Sequence, residues 1–321
     1  MSANPELVTF QEVEAAAERL GGRAVRTPLL ASPGLSQALG AEVRLKVESL
    51  QRSGSFKFRG AYNFLARRSD AELGPGVITY SSGNHAQAVA LSASLRGVQS
   101  VVVMPTTAPA VKRKGAEALG ARVVLEGTTS VERRARAEEI QAEEGLTMVP
   151  PFDHADIIAG QGTVALEAAR EWLEMDTWVV CLGGGGLGSG SAVSLRALRP
   201  DARIVGVEAE GAASMRASLD AGAPVTLDRI DTIADGLAPV RPGDLTFAHV
   251  QALFDDVVTV SDEAILEATG WLLHSRKLVV EYSGAAAVAA LQSGKVETAG
   301  RRIGVTVSGG NLDPSFMARL L

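Results

Sequence analysis

The chain has 321 residues and a mass of 33.3 kDa, 46% of it hydrophobic and 21% charged with both signs mixed, so it can bury a core of its own and is neither a disordered chain nor a small scaffold held by staples. A formal net charge of −6 and a pI of about 5.4 remove the electrostatic attraction that nucleic acid or an anionic membrane would need. One cysteine, Cys181, excludes an intrachain disulfide and fits a reducing cytosol, and four scattered histidines argue against a zinc cluster.

Residues 1–10 lack the basic and then apolar regions of a signal peptide, and no apolar run approaches the roughly 20 residues of a bilayer span. A cytoplasmic protein is expected. Short β-branched runs then predict strands at 43–48, 76–80, 100–104, 121–125, 177–182, 204–208 and 302–307. Between them, stretches with helical periodicity predict helices at 86–95, 130–144, 163–174 and 261–275. This alternation predicts parallel sheets with helices on both faces and sites at the carboxyl ends of the strands. No long linker or repeat divides the chain. The weakest joints are 67–76, with its Gly-Pro-Gly turn, and 149–153, with Pro150 and Pro151.

Glycine supplies 34 residues, well above its usual share of about 7%, and the excess is clustered. Gly183 to Gly186, Leu187, Gly188, Ser189 and Gly190 follow a strand-like run and precede a helical one. Strand, glycine loop and helix in that order gather unhindered N–H groups and a helix start around one point, which suits a phosphate. A Gly-x-Gly-x-x-Gly pattern can be read here with Glu208 downstream as the acid of a dinucleotide site, whereas the missing Gly-Lys-Ser/Thr ending excludes a Walker loop.

Among six lysines, Lys57 alone sits between aromatic residues and small turn residues, in Ser53-Gly54-Ser55-Phe56-Lys57-Phe58-Arg59-Gly60. Partial desolvation there would favour the neutral amine that a Schiff base requires. A lysine together with a monophosphate cup points to pyridoxal 5′-phosphate. Ser81, Ser82, Gly83, Asn84 and His85, between a strand and a helix, offer hydroxyls, an amide and free N–H groups to a carboxylate; an ordinary helix cap would look the same. Arg133, Arg134 and Arg136 read chiefly as a solvated helical face, with a substrate arginine among them as the alternative.

Taken in order, the stretches 53–60, 81–88, 158–167, 183–188, 232–237, 281–287 and 308–311 resemble the fold-type II pyridoxal-phosphate enzymes, specifically the threonine/serine dehydratase and serine racemase group. The resemblance covers nearly the whole chain. It implies a tryptophan synthase β-like α/β fold with two open twisted sheets, residues 1–66 and 151–321 forming a large cofactor-binding domain and 67–150 a small substrate-side domain. It implies that Lys57 carries the cofactor and moves a proton at the substrate Cα, and that Phe56 packs on the ring. Asn84 would bond the ring hydroxyl, Gly183, Gly184, Gly185, Gly186 and Leu187 would hold the phosphate, and Ser308 would meet the ring nitrogen. Ser81 to His85 would bind the substrate, with Ser82 a second catalytic group on the opposite face, where dehydratases often carry Ala.

The implied reaction is loss of water from a small hydroxy-amino acid, giving a 2-oxo acid and ammonia. Serine racemization and 3-hydroxyaspartate dehydration are the alternatives. A Ser at the ring nitrogen, in place of an Asp, makes a shallower electron sink and favours β-elimination over transamination. A divalent or monovalent cation at Glu208 and the backbone of Ala212 is also implied, although Ser214 stands where the racemases carry an acid; an ordinary strand-end role competes for Glu208. Tyr282 departs from the family's usual Pro. Homodimers or homotetramers are implied, and the chain stops ten residues after Asn311, so no C-terminal sensing domain is expected.

Overall fold

The computed structural model describes residues 5–81, 83–108 and 110–319. Among them lie ten strands: β1 (Leu29–Ala31), β2 (Glu42–Val47), β3 (Val77–Tyr80), β4 (Ser100–Met104), β5 (Ala121–Leu125), β6 (Thr147–Met148), β7 (Thr177–Cys181), β8 (Arg203–Ala209), β9 (Asp256–Val260) and β10 (Arg302–Val307). They form two sheets. The smaller runs β5-β4-β3-β6 and is parallel throughout; the larger runs β1-β2-β10-β7-β8-β9 and is parallel except for its edge strand β1.

Central strands β4 and β7 are buried at every position, as expected where helices cover both faces, and such continuous apolar runs were legible in the sequence. β1, β6 and β9 were not. The first two are three and two residues long, too short to carry a period, and β9 is a half-buried edge strand opening on Asp256.

The helix expected at 163–174 spans Ala155–Glu171. Its glycines, poor helix formers on propensity, sit where other helices cross closely. A Cβ on Gly190 of the helix Gly186–Leu198 would lie 2.2 Å from the Ile158 carbonyl oxygen, and one on Gly160 would lie 2.7 Å from that of Arg59 in the helix Lys57–Ala66. These backbone contacts lock together the two helices that open beside Lys57 and the glycine loop. At the larger sheet's centre the helix Tyr282–Gln292 is buried from Tyr282 through Leu291.

The residues following β3, β7 and β10 all open into one cleft, at the strands' carboxyl ends.

Candidate active site

Lys57 is placed by a short stitched loop. Ser53 and Gly54 turn left-handed, with φ of 58° and 74°, and a Cβ on Gly54 would come 2.3 Å from Asn311 Oδ1. The loop then pairs with the end of β10: Phe56 N donates to Ser308 O at 3.1 Å, Gly310 N to Gly54 O at 2.8 Å, and Ser55 bridges Gly309. Lys57 opens the helix that follows, its Nζ 2.8 Å from Pro151 O and 5.3 Å from the Phe56 ring centroid. Enclosure by the cleft pushes its pKa down to about 8, with the charges of Cys181 and Glu281 offsetting only part of that effect. The neutral amine is therefore accessible near neutral pH.

The glycine loop follows β7. Gly185 takes φ 93°, and the helix Gly186–Leu198 begins directly after it. The absence of side chains is enforced by close neighbours: a Cβ on Gly184 would lie 2.3 Å from the Phe152 ring, and one on Gly185 2.7 Å from Thr246 Cβ. Among the described residues no backbone carbonyl accepts from the N–H groups of Gly183 to Leu187. Unpaired N–H groups at a helix start make an anion cup. A lysine with a depressed pKa lining the same cleft completes a site that fits pyridoxal 5′-phosphate.

Asn84 is the first residue of the helix Asn84–Arg96. Its Nδ2 donates to Glu281 Oε1 at 2.5 Å, while its Oδ1 accepts from Asn311 Nδ2 at 2.7 Å. These two bonds define the amide's orientation and leave one of its two N–H donors for a ligand. Glu281 is buried, and burial together with the charge of Asp235 pushes it up to about 7. Ser308, at the end of β10, is buried with its hydroxyl in reach of Cys181, whose thiol burial pushes up to about 11.

Ser81, Gly83 and His85 also line the cleft; Ser82 lies outside the described residues. His85 Nε2 donates to Val149 O at 3.1 Å, so its buried Nδ1, which has no partner, carries a lone pair. Burial, with the nearby charge of Lys57, pushes the ring down to about 3. His85 thus presents a neutral imidazole with an unpartnered Nδ1 among the residues that line the cleft.

The cleft encloses about 840 Å³. Arg133 and Arg134 line it, on the helix where a chiefly solvated face was expected with a substrate arginine as the alternative; Arg133 has a buried Nε without partner. Arg136 instead pairs with Glu139 at 2.8 Å. Lys112 and Asp235 meet at 2.9 Å across the mouth.

Glu208 and Ala212 lie apart from the cleft lining. Both Glu208 carboxylate oxygens accept backbone N–H groups, from Met215 and Arg216 at 2.8 Å each, capping the helix Ser214–Ala221. Among the described residues no cluster of three His, Cys, Asp or Glu side chains is placed to hold a metal. Tyr282 stands at the first position of its helix, where Pro is well tolerated; its ring packs on Phe316 with centroids 5.8 Å apart.

Sequence reasoning assigned no site role to Cys181, Glu281, Asn311 or Phe152. Glu281 and Asn311 fell inside the resembling stretches, which was the one available signal for them.

Comparison with known proteins agrees with this geometry. The family described as "Pyridoxal-phosphate dependent enzyme" matches residues 22–309. An L-threo-3-hydroxyaspartate ammonia-lyase from a Pseudomonas species is 41% identical, covering 98% of this chain and 99% of its own. The L-threonine ammonia-lyase of Thermotoga maritima is 40% identical over 98% of this chain and 78% of its own. The solved structure of maize serine racemase superposes with a TM-score of 0.94 at 36% identity, covering 98% of this chain and 97% of that one. With a lysine, a glycine cup and a strand-end serine gathered in one cleft and a family match running through nearly all of it, the chain belongs to the pyridoxal-phosphate-dependent enzymes of fold type II.

Proposed function

We propose that this protein is a threonine/serine ammonia-lyase, removing water from a small hydroxy-amino acid to give a 2-oxo acid and ammonia. The observation that carries the reading is the juxtaposition of Lys57, its pKa pushed down to about 8, with a serine rather than an acid at the end of β10. When bound, the cofactor supplies the electron sink for charge developing at the substrate Cα. Gly183 to Leu187 would hold its phosphate, the spare N–H of Asn84 would serve the ring hydroxyl, and the Ser308 hydroxyl would serve the ring nitrogen. Lys57 Nζ takes the Cα proton and can return it to the departing hydroxyl. Phe56, its ring centroid 5.3 Å from Lys57 Nζ, would pack on the cofactor ring.

A panel of L-threonine, L-serine and L-threo-3-hydroxyaspartate, scored for ammonia and 2-oxo acid against D-serine, tests the proposal. Exclusive D-serine formation would overturn it in favour of racemization, the role for which Ser82 is the candidate. A second reading rests on Arg133: a guanidinium with a buried, unpartnered Nε on the cleft wall supports recognition of a second carboxylate, as 3-hydroxyaspartate would present. In that case Arg133→Met raises KM for the dicarboxylate at least about tenfold and leaves serine unchanged, one lost charged hydrogen bond corresponding to about that factor.

We further propose the division into residues 1–66 and 151–321 as the cofactor-binding domain and 67–150 as the substrate-side domain, supported by the confinement of β3–β6 to the latter. A homodimer or homotetramer in the cytoplasm is proposed from the family resemblance and from the single, buried cysteine.

A further inference from the structure

We infer that Asp153 and Thr246 are positioning residues for the phosphate cup, holding its glycine loop in the anion-binding orientation before any ligand arrives. Thr246 is fully buried, and its Oγ1 donates to Gly184 O at 2.7 Å, with Gly243 O more distant at 3.2 Å. That bond commits the Gly184 carbonyl to Thr246. A peptide whose oxygen is held on one side presents the following N–H on the other, so the pinned carbonyl frees the Gly185 N–H for an anion.

Thr246 is itself braced. The Asp153 carboxylate accepts from the N–H groups of Asp244 and Thr246 at 3.0 Å each and of Leu245 at 3.1 Å, capping the helix Asp244–Leu253 from 91 positions away in sequence. A Cβ on Gly243 would lie 2.1 Å from this carboxylate, so the fit is close. The segment carrying Asp153 also reaches the rest of the site. Phe152 packs on Gly184 and Gly186, and Pro151 O accepts from Lys57 Nζ at 2.8 Å. One short strap thus sets the loop from two sides and touches the lysine.

The inference rests on the cup receiving the cofactor's phosphate, and the test separates the two ideas. Apoprotein is titrated with pyridoxal 5′-phosphate and with unphosphorylated pyridoxal, following absorbance. Wild-type protein is expected to prefer the phosphorylated aldehyde strongly; equal affinity would reject the cup as a phosphate site, whatever the variants do. Thr246→Val keeps the shape and deletes the hydroxyl. It is expected to weaken pyridoxal 5′-phosphate about tenfold while leaving pyridoxal within about twofold, and Thr246→Ser should restore binding, a lost buried hydrogen bond being of that size. Asp153→Asn, which keeps the side-chain volume, should shift the same ratio in the same direction by a few fold. Equal loss for both aldehydes, or no loss for the phosphorylated one, overturns the inference. If Thr246→Val fails to fold, the Asp153→Asn ratio decides by the same criteria.

Discussion

Asn84 and Glu281, 197 positions apart, face each other across the cleft with Nδ2 and Oε1 separated by 2.5 Å. One opens the helix after β3 and the other precedes the central helix of the larger sheet, so this hydrogen bond, with that from Asn311 to Asn84, joins elements of the two sheets at the site. Gly309 lies beneath it: a Cβ there would meet Glu281 Oε1 at 2.1 Å.

This pair gives a pH dependence with a definite sign. Glu281, raised to about 7 by burial, binds its proton more tightly folded than unfolded. Ionising it therefore costs the folded state stability, and the loss accumulates as pH rises from about 4.5 to about 7. At 1.36 kcal/mol per pKa unit the full drop is roughly 3 kcal/mol. Denaturant unfolding of apoprotein at several pH values should show Glu281→Gln flattening that decline relative to wild type.

Lys57 gives a second. The amine reacts with an aldehyde in its neutral form, and a pKa near 8 leaves about a quarter of it neutral at about pH 7.5. Cofactor uptake by apoprotein, followed by absorbance, should accelerate with pH and level off above about 8 rather than continuing toward 10. Borohydride treatment of the loaded enzyme should label this residue. Lys57→Ala should lower turnover by at least about 10²–10⁴-fold, the scale of general acid–base catalysis alone.

Arg59, two residues beyond, anchors the same helix to the fold. Its guanidinium is buried and grips Glu48 through two bonds of 2.8 Å and Glu167 through bonds of 2.7 and 2.9 Å, with Lys46 closing the cluster on Glu167 at 2.5 Å. Removing one cation from a buried, balanced cluster leaves carboxylates without compensation. Arg59→Met should cost about 3–5 kcal/mol in denaturant unfolding, and Arg59→Lys, which keeps the charge but loses the fork, should fall between.

Gly190→Ala tests the helix crossing. Its Cβ would lie 2.2 Å from Ile158 O and 2.5 Å from Gly162 N, both backbone atoms that move only with their helix. A loss of about 1–3 kcal/mol is expected, visible as a lowered Tm. Gly34→Ala is the contrast: nothing lies within 4 Å of its Cβ position in the helix Pro33–Leu39, so that variant should be neutral or more stable by up to about 1 kcal/mol.

Residue order by itself determined the alternation of strand and helix, the glycine loop and the lysine between aromatics, because each is a local pattern: a run of apolar side chains, a cluster of residues lacking Cβ, a charge among small neighbours. The resemblance then joined those patterns into one family. Tertiary structure alone decided which distant side chains meet. It brought Cys181 to Ser308, Asp153 to the helix holding Thr246, and Arg133 to the cleft wall, and it occupied both Glu208 oxygens with a helix start. None of these leaves a mark on periodicity, since burial and hydrogen bonding between positions far apart in the chain depend on how two sheets and their covering helices pack. For Lys57 the sequence supplied the expectation of partial desolvation and the packing its extent, a pKa pushed down to about 8, because the degree of desolvation is set by the enclosure.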